Sequence, residues 1–588
     1  MKVSANALFP WKRAFRLSVL LPSSLFLLSS SFLFTGCQRH DARAELVILN
    51  GAEPQSLDPA IVTGQPDGRA AGALFEGLMR FDPHTGDPIP GIAERYDLSP
   101  DGLTYTFHLR TNALWSNGEP ITAEDFVWSW RRALAPETAA DYAGQLFFIR
   151  NAEEFCTSQT NAATGRRYTG EDVAVQATNS HTLVVELVAP TPFFPDLCAF
   201  RTLAVVPRRA IEKYGDRWVR APDTAFSGPF TLAAWRVNDR IRLAKNPHYW
   251  NAAEVRLNTV DLLPQNDPNF CLNTFLRGDA DLIFDKRRVP AELIDVLSRT
   301  NYMHRFEVLA TFFYRYNVTR PPFNDPRVRK ALGMVVDRQR IVERITRGGE
   351  KFGTHFTPPG LRGYAPPEGL AYDPVAARKL LTDAGFPEGK GFPLFRYLMP
   401  NTVQSAQIAV ELREMWQKEL GIRMEIQQLE WKVYLHEQGA TNYDVSYSSW
   451  IGDYNDPNTF LDMFMSKNGN NRTGWSNARY DELMREGNSQ VDPKKRAELL
   501  RQAETILAHD DVPVVSIFFE KGINLFRPED VGGIYGTLND EHPISAMYRI
   551  KPPGKPRAES SKVDSLALRG EATPPSARSA SGTTSSTR

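Results

Sequence analysis

Short stretches of hydrophobic residues predict strands in the first part of the chain. Residues 46–48 form a continuous apolar run, which is typical of a buried strand. The turn sequence Pro-Asp-Gly at 100–102 precedes a segment in which every second residue is apolar. These apolar positions are Leu103, Tyr105, Phe107 and Leu109. The alternation predicts a strand that is buried on one face.

Two segments have the residue spacing of amphipathic helices. Thr122 precedes the acidic residues Glu124 and Asp125, an arrangement that suits a helix N-terminus. The apolar residues after it are Phe126, Val127, Trp130, Ala133 and Leu134. The second helix is predicted over 408–420 and ends at Gly421, with alternating apolar residues at 422, 424 and 426. The apolar stripe of this helix is Ile408, Leu412, Met415, Trp416 and Leu420. The order helix, glycine, strand predicts an α/β unit.

The N-terminal segment is predicted to be an export signal. Basic residues at 2, 12, 13 and 16 precede an uncharged, mostly apolar stretch over 17–34. Thr35 and Gly36 then lead to Cys37, which resembles a bacterial lipobox, with Phe34 where leucine is usual. We therefore expect a signal peptide over 1–36 and lipidation of Cys37. The alternative is an uncleaved membrane anchor, because about 18 residues are barely enough to span a bilayer. In both cases the rest of the chain is predicted to lie outside the cytoplasmic membrane.

Length and charge restrict the function classes. With 588 residues, the chain is long enough for two to four domains of roughly 100–200 residues each. The 69 basic and 69 acidic side chains balance, which gives no support for nucleic-acid binding. Residues 553–588 are rich in Ser, Pro, Ala, Thr and Gly, so we expect a disordered tail.

The motifs of common enzyme and metal sites are absent from the sequence. There is no CxxC, HExxH, GxSxG or glycine-rich phosphate loop, and the ten histidines are scattered. We therefore predict no metal, no cofactor and no catalytic site. Besides Cys37, the cysteines are Cys156, Cys198 and Cys271. One disulfide is permitted outside the cytoplasm, and the sequence leaves its pairing open.

Six segments, in order, resemble one protein family. ERYDLSPDGLTYTFHLRTNALWSNGEPITAEDFVWSWRRAL at 94–134 is similar to the signature of the periplasmic oligopeptide- and dipeptide-binding proteins of ABC importers. The other five segments are LNGAEPQSLDPAIVTG, LFEGLMRFDP, FSGPFTLAAWRVNDRIRLAKNPHYW, RPPFNDPRVRKALGMVVDR and WIGDYNDPNTFLDMF. The resemblance extends over about 45–550.

The resemblance implies an α/β, two-lobed periplasmic-binding-protein fold, class II-like, with an inserted extra domain and three domains in all. Lobe I would consist of 45–79, 198–300 and 525–552. The inserted domain II would span 80–197, and lobe III would span 301–524. The ligand would lie between lobes that close by a hinge motion.

The resemblance also implies the residues of a ligand site. Relatives pair an aspartate in a W-x-x-D-Y-N motif with the ammonium group of the peptide, and here Asp453 stands in that motif, followed by Asn455. A buried ammonium group requires a nearby anion. The alternative for Asp453 is a turn or capping role, since Asp-Tyr-Asn-Asp-Pro is rich in turn residues.

Further positions would hold the peptide main chain as an added strand. They are Thr63, Gly64 and Gln65 on one lobe and Ser449, Trp450 and Ile451 on the other. Tyr142, Trp431 and Trp450 match aromatic positions that line side-chain pockets in relatives. Each of these aromatic residues could instead be part of the hydrophobic core.

The sequence departs from the family at the far end of the ligand. Arg320 replaces a lysine that binds the peptide carboxylate in relatives, and Tyr447 replaces an arginine. No histidine occurs in 403–407, where one is expected. The carboxylate anchor is therefore weakened or replaced. This leaves open the ligand length and the possibility of a blocked peptide, a cell-wall peptide or another solute.

The resemblance implies a lipid-anchored, monomeric solute-binding protein in the periplasm or at the cell surface. It would capture short peptides and deliver them to the permease subunits of an ABC importer. A receptor that signals through a membrane partner, and an extracellular hydrolase, are the alternatives from other function classes.

Overall fold

The computed structural model describes residues 42–552, except 467, 539 and 541. The predicted signal segment (1–36), the lipidation residue Cys37 and the predicted tail (553–588) lie outside the described residues. In the described part of the chain, no helix has the length and hydrophobicity needed to cross a membrane. Cys156, Cys198 and Cys271 are all free thiols.

Strands and helices alternate through the described residues. The strands are β1 (Leu46–Gly51), β2 (Met79–Phe81), β3 (Pro88–Pro90), β4 (Ala93–Leu98), β5 (Thr104–Leu109), β6 (Val175–Asn179), β7 (Thr182–Glu186), β8 (Phe230–Arg236), β9 (Arg240–Lys245), β10 (Thr259–Pro264), β11 (Leu282–Ile283), β12 (Met303–Tyr316), β13 (Lys351–Phe352), β14 (Phe395–Pro400), β15 (Met424–Leu429), β16 (Val445–Ile451), β17 (Val514–Phe526), β18 (Val531–Gly532) and β19 (Tyr548–Arg549). The α-helices are α1 (Gln65–Leu74), α2 (Ala123–Leu134), α3 (Ala152–Cys156), α4 (Phe194–Ala199), α5 (Arg208–Tyr214), α6 (Pro268–Arg277), α7 (Ile294–Leu297), α8 (Pro326–Met334), α9 (Arg338–Ile341), α10 (Pro374–Asp383), α11 (Val403–Leu420), α12 (Trp431–Gly439), α13 (Asn458–Leu461), α14 (Ala478–Ser489) and α15 (Pro493–Thr505).

One mixed sheet runs through the described part of the molecule. Its strand order is β15-β14-β16-β12-β17-β11-β1-β10-β9-β8, and β13 pairs with β17. The antiparallel strands β12 and β17 have 14 and 13 residues and are longer than their neighbours. Their ends connect the first half of the sheet, around β1, with the second half, around β16. A separate antiparallel sheet, β4-β5-β7-β6, lies within 93–186 and packs against α2.

The strongest local patterns of the sequence correspond to observed elements. The predicted half-buried strand is β5, in which Tyr105, Phe107 and Leu109 are buried and the residues between them are less so. The predicted helix after Thr122 is α2, and the Thr122 side chain forms a capping box with Asp125. Both predictions are confirmed, because each depends on contacts within one short segment.

The second predicted helix begins earlier than the hydrophobic stripe indicates. Helix α11 starts at Val403, and the Thr402 side chain accepts a hydrogen bond from the Ser405 N–H. Its first turn exposes Val403 to solvent, so hydrophobic spacing could not reveal this turn. From Ile408 onward the predicted stripe is buried, and Gly421 ends the helix in the left-handed conformation at φ 69°.

Candidate ligand-binding site

A cavity of about 460 Å³ opens between the two halves of the large sheet. This volume lies within the range of roughly 300–1,000 Å³ that is usual for ligand pockets. One wall contains Thr63, Gln65, Phe200, Arg201 and Arg287, together with Phe81 of β2 and Tyr142 from the segment between β5 and β6. The wall from the second half contains Arg315, Trp431, Tyr434, Leu435, Gln438, Tyr447, Ser448, Ser449, Trp450, Ile451, Gly452, Asp453, Met463, Asn470 and Arg472.

Asp453 lies in this wall, two residues after the end of β16. Its main-chain N–H donates to Thr459 Oγ1 at 3.1 Å, which fixes the bend after the strand. At Gly452, a Cβ atom would lie 2.9 Å from the Phe460 ring, so glycine allows the bend to pack closely there. The sequence motif around Asp453 therefore has a structural role as well as a place in the cavity.

The side chain of Asp453 is half-buried in the cavity wall, which partly desolvates its carboxyl group. Burial raises its pKa to about 6, and the positive charge of Arg201 and a hydrogen bond from Tyr142 partly oppose this rise. Gln145 Nε2 approaches the same carboxylate at 3.4 Å. A ligand cation at Asp453 would remove the electrostatic cost of ionising this group.

Tyr142 brings the segment between β5 and β6 to the cavity. Its ring packs against Phe200 at a centroid distance of 5.2 Å. The charge of Asp453 is the largest cause that raises the pKa of Tyr142, followed by burial. The hydroxyl therefore stays protonated and donates to Asp453, a contact that the sequence alone did not predict.

Strand β16 presents an open edge to the cavity. Gly452 N–H donates to Leu309 O on β12, whereas Tyr447 O accepts from Tyr434 and Gln438 on the other side. Because main-chain groups alternate along an antiparallel pair, those of Ser449 and Ile451 point away from β12. Strand β14 pairs with β16 only at Val445 and Ser446, so the edge at 447–451 has no strand neighbour among the described residues.

The aromatic residues Trp450 and Trp431 line the same wall in different ways. The main chain of Trp450 is directed toward Thr311 on β12, and its indole N–H donates to Thr459 O at 2.7 Å. Its ring thus lines the cavity from a fixed position. Trp431 is 52% exposed and stacks on Tyr434 at 5.4 Å, so it forms the rim of the cavity.

On the opposite wall, the predicted residues lie at the start of α1. Thr63 and Gln65 line the cavity, while Gly64 between them is the N-cap residue of the helix. Gly64 has φ −84° and ψ 155°, a backbone conformation that any residue can adopt. Its main-chain N–H donates to the Asp67 carboxylate.

Besides Gly64, two other predicted site residues are not among those that line the cavity. Arg320 follows the end of β12, and its guanidinium lies 3.4 Å from the Asp444 carboxylate. Asn455 accepts a hydrogen bond from the Arg362 main chain at 3.1 Å through its Oδ1 atom. The structure therefore places neither Arg320 nor Asn455 among the residues that line the cavity with Asp453.

Several cationic residues of the cavity were missed by the sequence analysis: Arg201, Arg287, Arg315 and Arg472. Arg287 is paired with Asp285 at 2.7 Å. A signal for Arg315 was present, because it is the only charged residue in the run VLATFFYRY at 308–316. The other three had no comparable signal, since their neighbours in the cavity come from distant parts of the chain.

Comparisons with known proteins agree with this architecture. The chain is 34% identical over 514 residues to the periplasmic oligopeptide-binding protein OppA of Salmonella typhimurium. The match covers 86% of this chain and 91% of that protein. The crystal structure of Haemophilus influenzae OppA in complex with RPPGFSPFR matches with a TM-score of 0.75 and 32% identity, over 87% of this chain and all of the other. The Escherichia coli murein tripeptide binding protein MppA matches with a TM-score of 0.76 and 31% identity, over 87% and 99%.

The predicted family and fold class are confirmed by these matches. The fold is the two-lobed, multi-domain α/β fold of periplasmic binding proteins. The family model for the middle region of the bacterial extracellular solute-binding proteins of family 5 matches residues 87–472. The chain belongs to the bacterial extracellular solute-binding proteins of family 5.

Proposed function

We propose that the chain captures short peptides with a free amino group outside the cytoplasmic membrane and delivers them to an ABC importer. The observation that carries this proposal is the desolvated Asp453 carboxylate in a cavity wall, beside the open edge of β16. An ammonium group satisfies the first feature, and an extended peptide main chain satisfies the second. The relatives named for peptide binding support the same ligand class.

Ligand capture would couple the lobes, because the cavity is built from both. We divide the chain into lobe I (45–79, 198–300 and 525–552), domain II (80–197) and lobe III (301–524). Tyr454 stacks on Phe193 with ring centroids 5.1 Å apart and planes 6° from parallel, which joins lobe III to domain II. Arg362 reaches Asp196 at 3.4 Å across the same boundary. A ligand that contacts both walls would favour this closed arrangement.

Binding of trialanine and N-acetyl-trialanine, measured by titration calorimetry, tests the role of Asp453. In Asp453→Asn, affinity for trialanine should fall at least tenfold, while affinity for the acetylated peptide should change little, because only the free peptide carries the ammonium charge. Asp383→Asn is the matched control: this carboxylate is exposed on α10 and pairs with Lys379 at 2.9 Å. Equal losses for both peptides would show that Asp453 does not recognise the ammonium group.

The same peptides distinguish a binding protein from a hydrolase. We propose that the chain is not an enzyme and acts without a cofactor, so mass spectrometry after prolonged incubation should recover trialanine intact. Release of alanine or dialanine, in proportion to protein concentration, would contradict this proposal. Membership of a solute-binding family supports binding without turnover.

Export and membrane anchoring complete the proposal. We propose a monomer in the periplasm or at the cell surface, attached to the membrane through lipidated Cys37 after removal of 1–36. The relatives with periplasmic names support the compartment. Replacing Cys37 by Ser should release the protein into the soluble extracytoplasmic fraction. Loss of peptide uptake after deletion of the protein would favour transport over a purely signalling role.

A further inference from the structure

Arg315 is a buried guanidinium in the cavity wall. Its side chain extends from β12, and the residue is only 4% exposed. Nε donates to Ser448 Oγ at 2.7 Å, and Nη1 donates to Asn470 O at 3.1 Å. Among the residues that the structure describes, Nη2 has no hydrogen-bond acceptor and the guanidinium has no carboxylate partner.

Arg472 places a second guanidinium beside the first. Its Nη1 donates to Gln438 Oε1 at 3.2 Å, and Gln438 Nε2 in turn donates to Ser448 Oγ at 3.1 Å. Arg315 therefore contacts Ser448 directly, and Arg472 is linked to Ser448 through Gln438. Burial lowers the pKa of Arg315, and the charge of Arg472 lowers it further. Within 42–552 apart from 467, 539 and 541, Arg472 also has no carboxylate partner.

Two like charges in a desolvated wall are costly unless an anion joins them. Arg287, in the same cavity, shows the usual solution, since Asp285 neutralises it at 2.7 Å. At Arg315 and Arg472 the described part of the chain supplies only neutral acceptors: Ser448, Asn470 O and Gln438. A carboxylate fits this end of the cavity, because it can accept two parallel hydrogen bonds from a guanidinium fork.

We propose that Arg315 and Arg472 form an anion-binding subsite that holds a carboxylate of the ligand, while Asp453 holds its ammonium group. This inference rests on the proposed function and specifies its ligand class. Ser448 lies in β16 and Asp453 lies two residues beyond the end of this strand, so their separation of five residues spans at most about 16 Å at roughly 3.3 Å per residue. An extended peptide covers that distance with about four residues. A peptide of about four residues with a carboxylate at its far end therefore fits between the two charged groups.

The carboxylate can belong to the peptide terminus or to an acidic side chain. Titration calorimetry with tetra-alanine, tetra-alanine amide and Ala-Ala-Ala-Glu amide separates these sources. Wild-type protein should bind tetra-alanine at least tenfold more tightly than its amide. Recovery of affinity with the Glu-containing amide assigns the subsite to any carboxylate at that position, and no recovery assigns it to the chain terminus.

Substitutions test whether Arg315 and Arg472 cause the preference for tetra-alanine over its amide. Arg472→Gln should lower affinity for tetra-alanine at least tenfold and leave the amide nearly unchanged, so the preference for the acid disappears. Arg472→Lys, which keeps the positive charge, should retain part of the preference for the acid. Among the described residues Arg472 makes one side-chain hydrogen bond, so these variants should fold, and Arg472→Gln should melt at or above the wild-type temperature because it removes one of two like charges. Arg315→Gln should also abolish the preference, with folding checked by circular dichroism because this residue is buried.

Two further variants make the outcome decisive. Arg378→Gln, at an exposed arginine of α10 paired with Glu419 at 3.0 Å, should bind like wild type. Arg320→Gln tests the position that family resemblance favours. Equal binding of the acid and the amide by wild type, or loss of the preference in Arg320→Gln alone, would overturn the subsite while leaving peptide capture intact. Failure of every free-amino peptide to bind would instead refute the proposed function itself.

Discussion

Asp453→Asn should stabilise the ligand-free protein at neutral pH. The substitution keeps the shape of the side chain and removes a charge that the fold holds away from water. In the folded protein the pKa of Asp453 is about 6, against 3.8 ordinarily. A difference of two pKa units corresponds to about 3 kcal/mol of unfolding free energy. We therefore expect the variant to exceed wild type by up to about 3 kcal/mol at pH 7.5.

The sign of the pH dependence follows from proton binding. Between pH 4 and 6 the folded state retains a proton on Asp453 that the unfolded state has lost. The free energy of unfolding of the wild type therefore decreases as pH rises through this window. The decrease is complete above pH 6, where Asp453 is ionised in both states. Asparagine does not titrate, so the advantage of the variant should be close to zero at pH 4 and largest above pH 6.

Calorimetric melting of ligand-free protein at pH 4, 5, 6 and 7.5 measures this difference. Asp462→Asn is a useful comparison, because burial also raises the pKa of Asp462 to about 6, yet this residue is not part of the cavity wall. Trialanine should raise the melting temperature of wild type and Asp462→Asn, and much less that of Asp453→Asn. A stability difference for Asp453→Asn that is independent of pH, or a less stable variant at pH 7.5, would refute the assignment of a desolvated charge.

Two more predictions concern ligand protonation and the core. Affinity for trialanine should fall by about tenfold per pH unit below pH 6, since protonated Asp453 cannot pair with ammonium. Constant affinity from pH 5 to 8 in calorimetric titrations would contradict this expectation. Trp416→Ala should cost about 3–5 kcal/mol in urea unfolding, because Trp416 is fully buried and donates to Leu332 O at 2.9 Å, and a loss below about 1 kcal/mol would show that the core closes around the gap.

Local elements and family segments could be predicted from the sequence, because their information lies within short stretches. The capping box at Thr122 and the alternation in β5 involve neighbours a few residues apart. The motif around Asp453 was recognisable for the same reason. Its exact electrostatic environment was not, since Tyr142 and Gln145 are more than 300 residues away in the chain.

The end of the cavity near Ser448 shows why the sequence alone did not identify the remaining site residues. Arg320 was selected from its place in a motif, but it lies beyond the end of β12, near Asp444. Arg315 faces the cavity because β12 pairs with β16, which places it beside Ser448, 133 residues later. The lone charge in the run at 308–316 marks Arg315 as unusual, but only the pairing of distant strands shows that its side chain enters the cavity.

The buried charge of Asp453 gives the ligand a way to control closure. Its carboxylate touches Tyr142 and Gln145, which belong to domain II in the proposed division of the chain, so closure of domain II on lobe III would remove water from it. In the empty protein this desolvation would oppose closure, by up to the same 3 kcal/mol, or about 100-fold in population. A ligand ammonium removes the penalty, because it replaces the lost hydration of the carboxylate. We therefore expect closure to depend on a ligand ammonium group paired with Asp453. The Asp453→Asn variant should close more readily without ligand, and ligand binding should change its closed fraction less than in wild type.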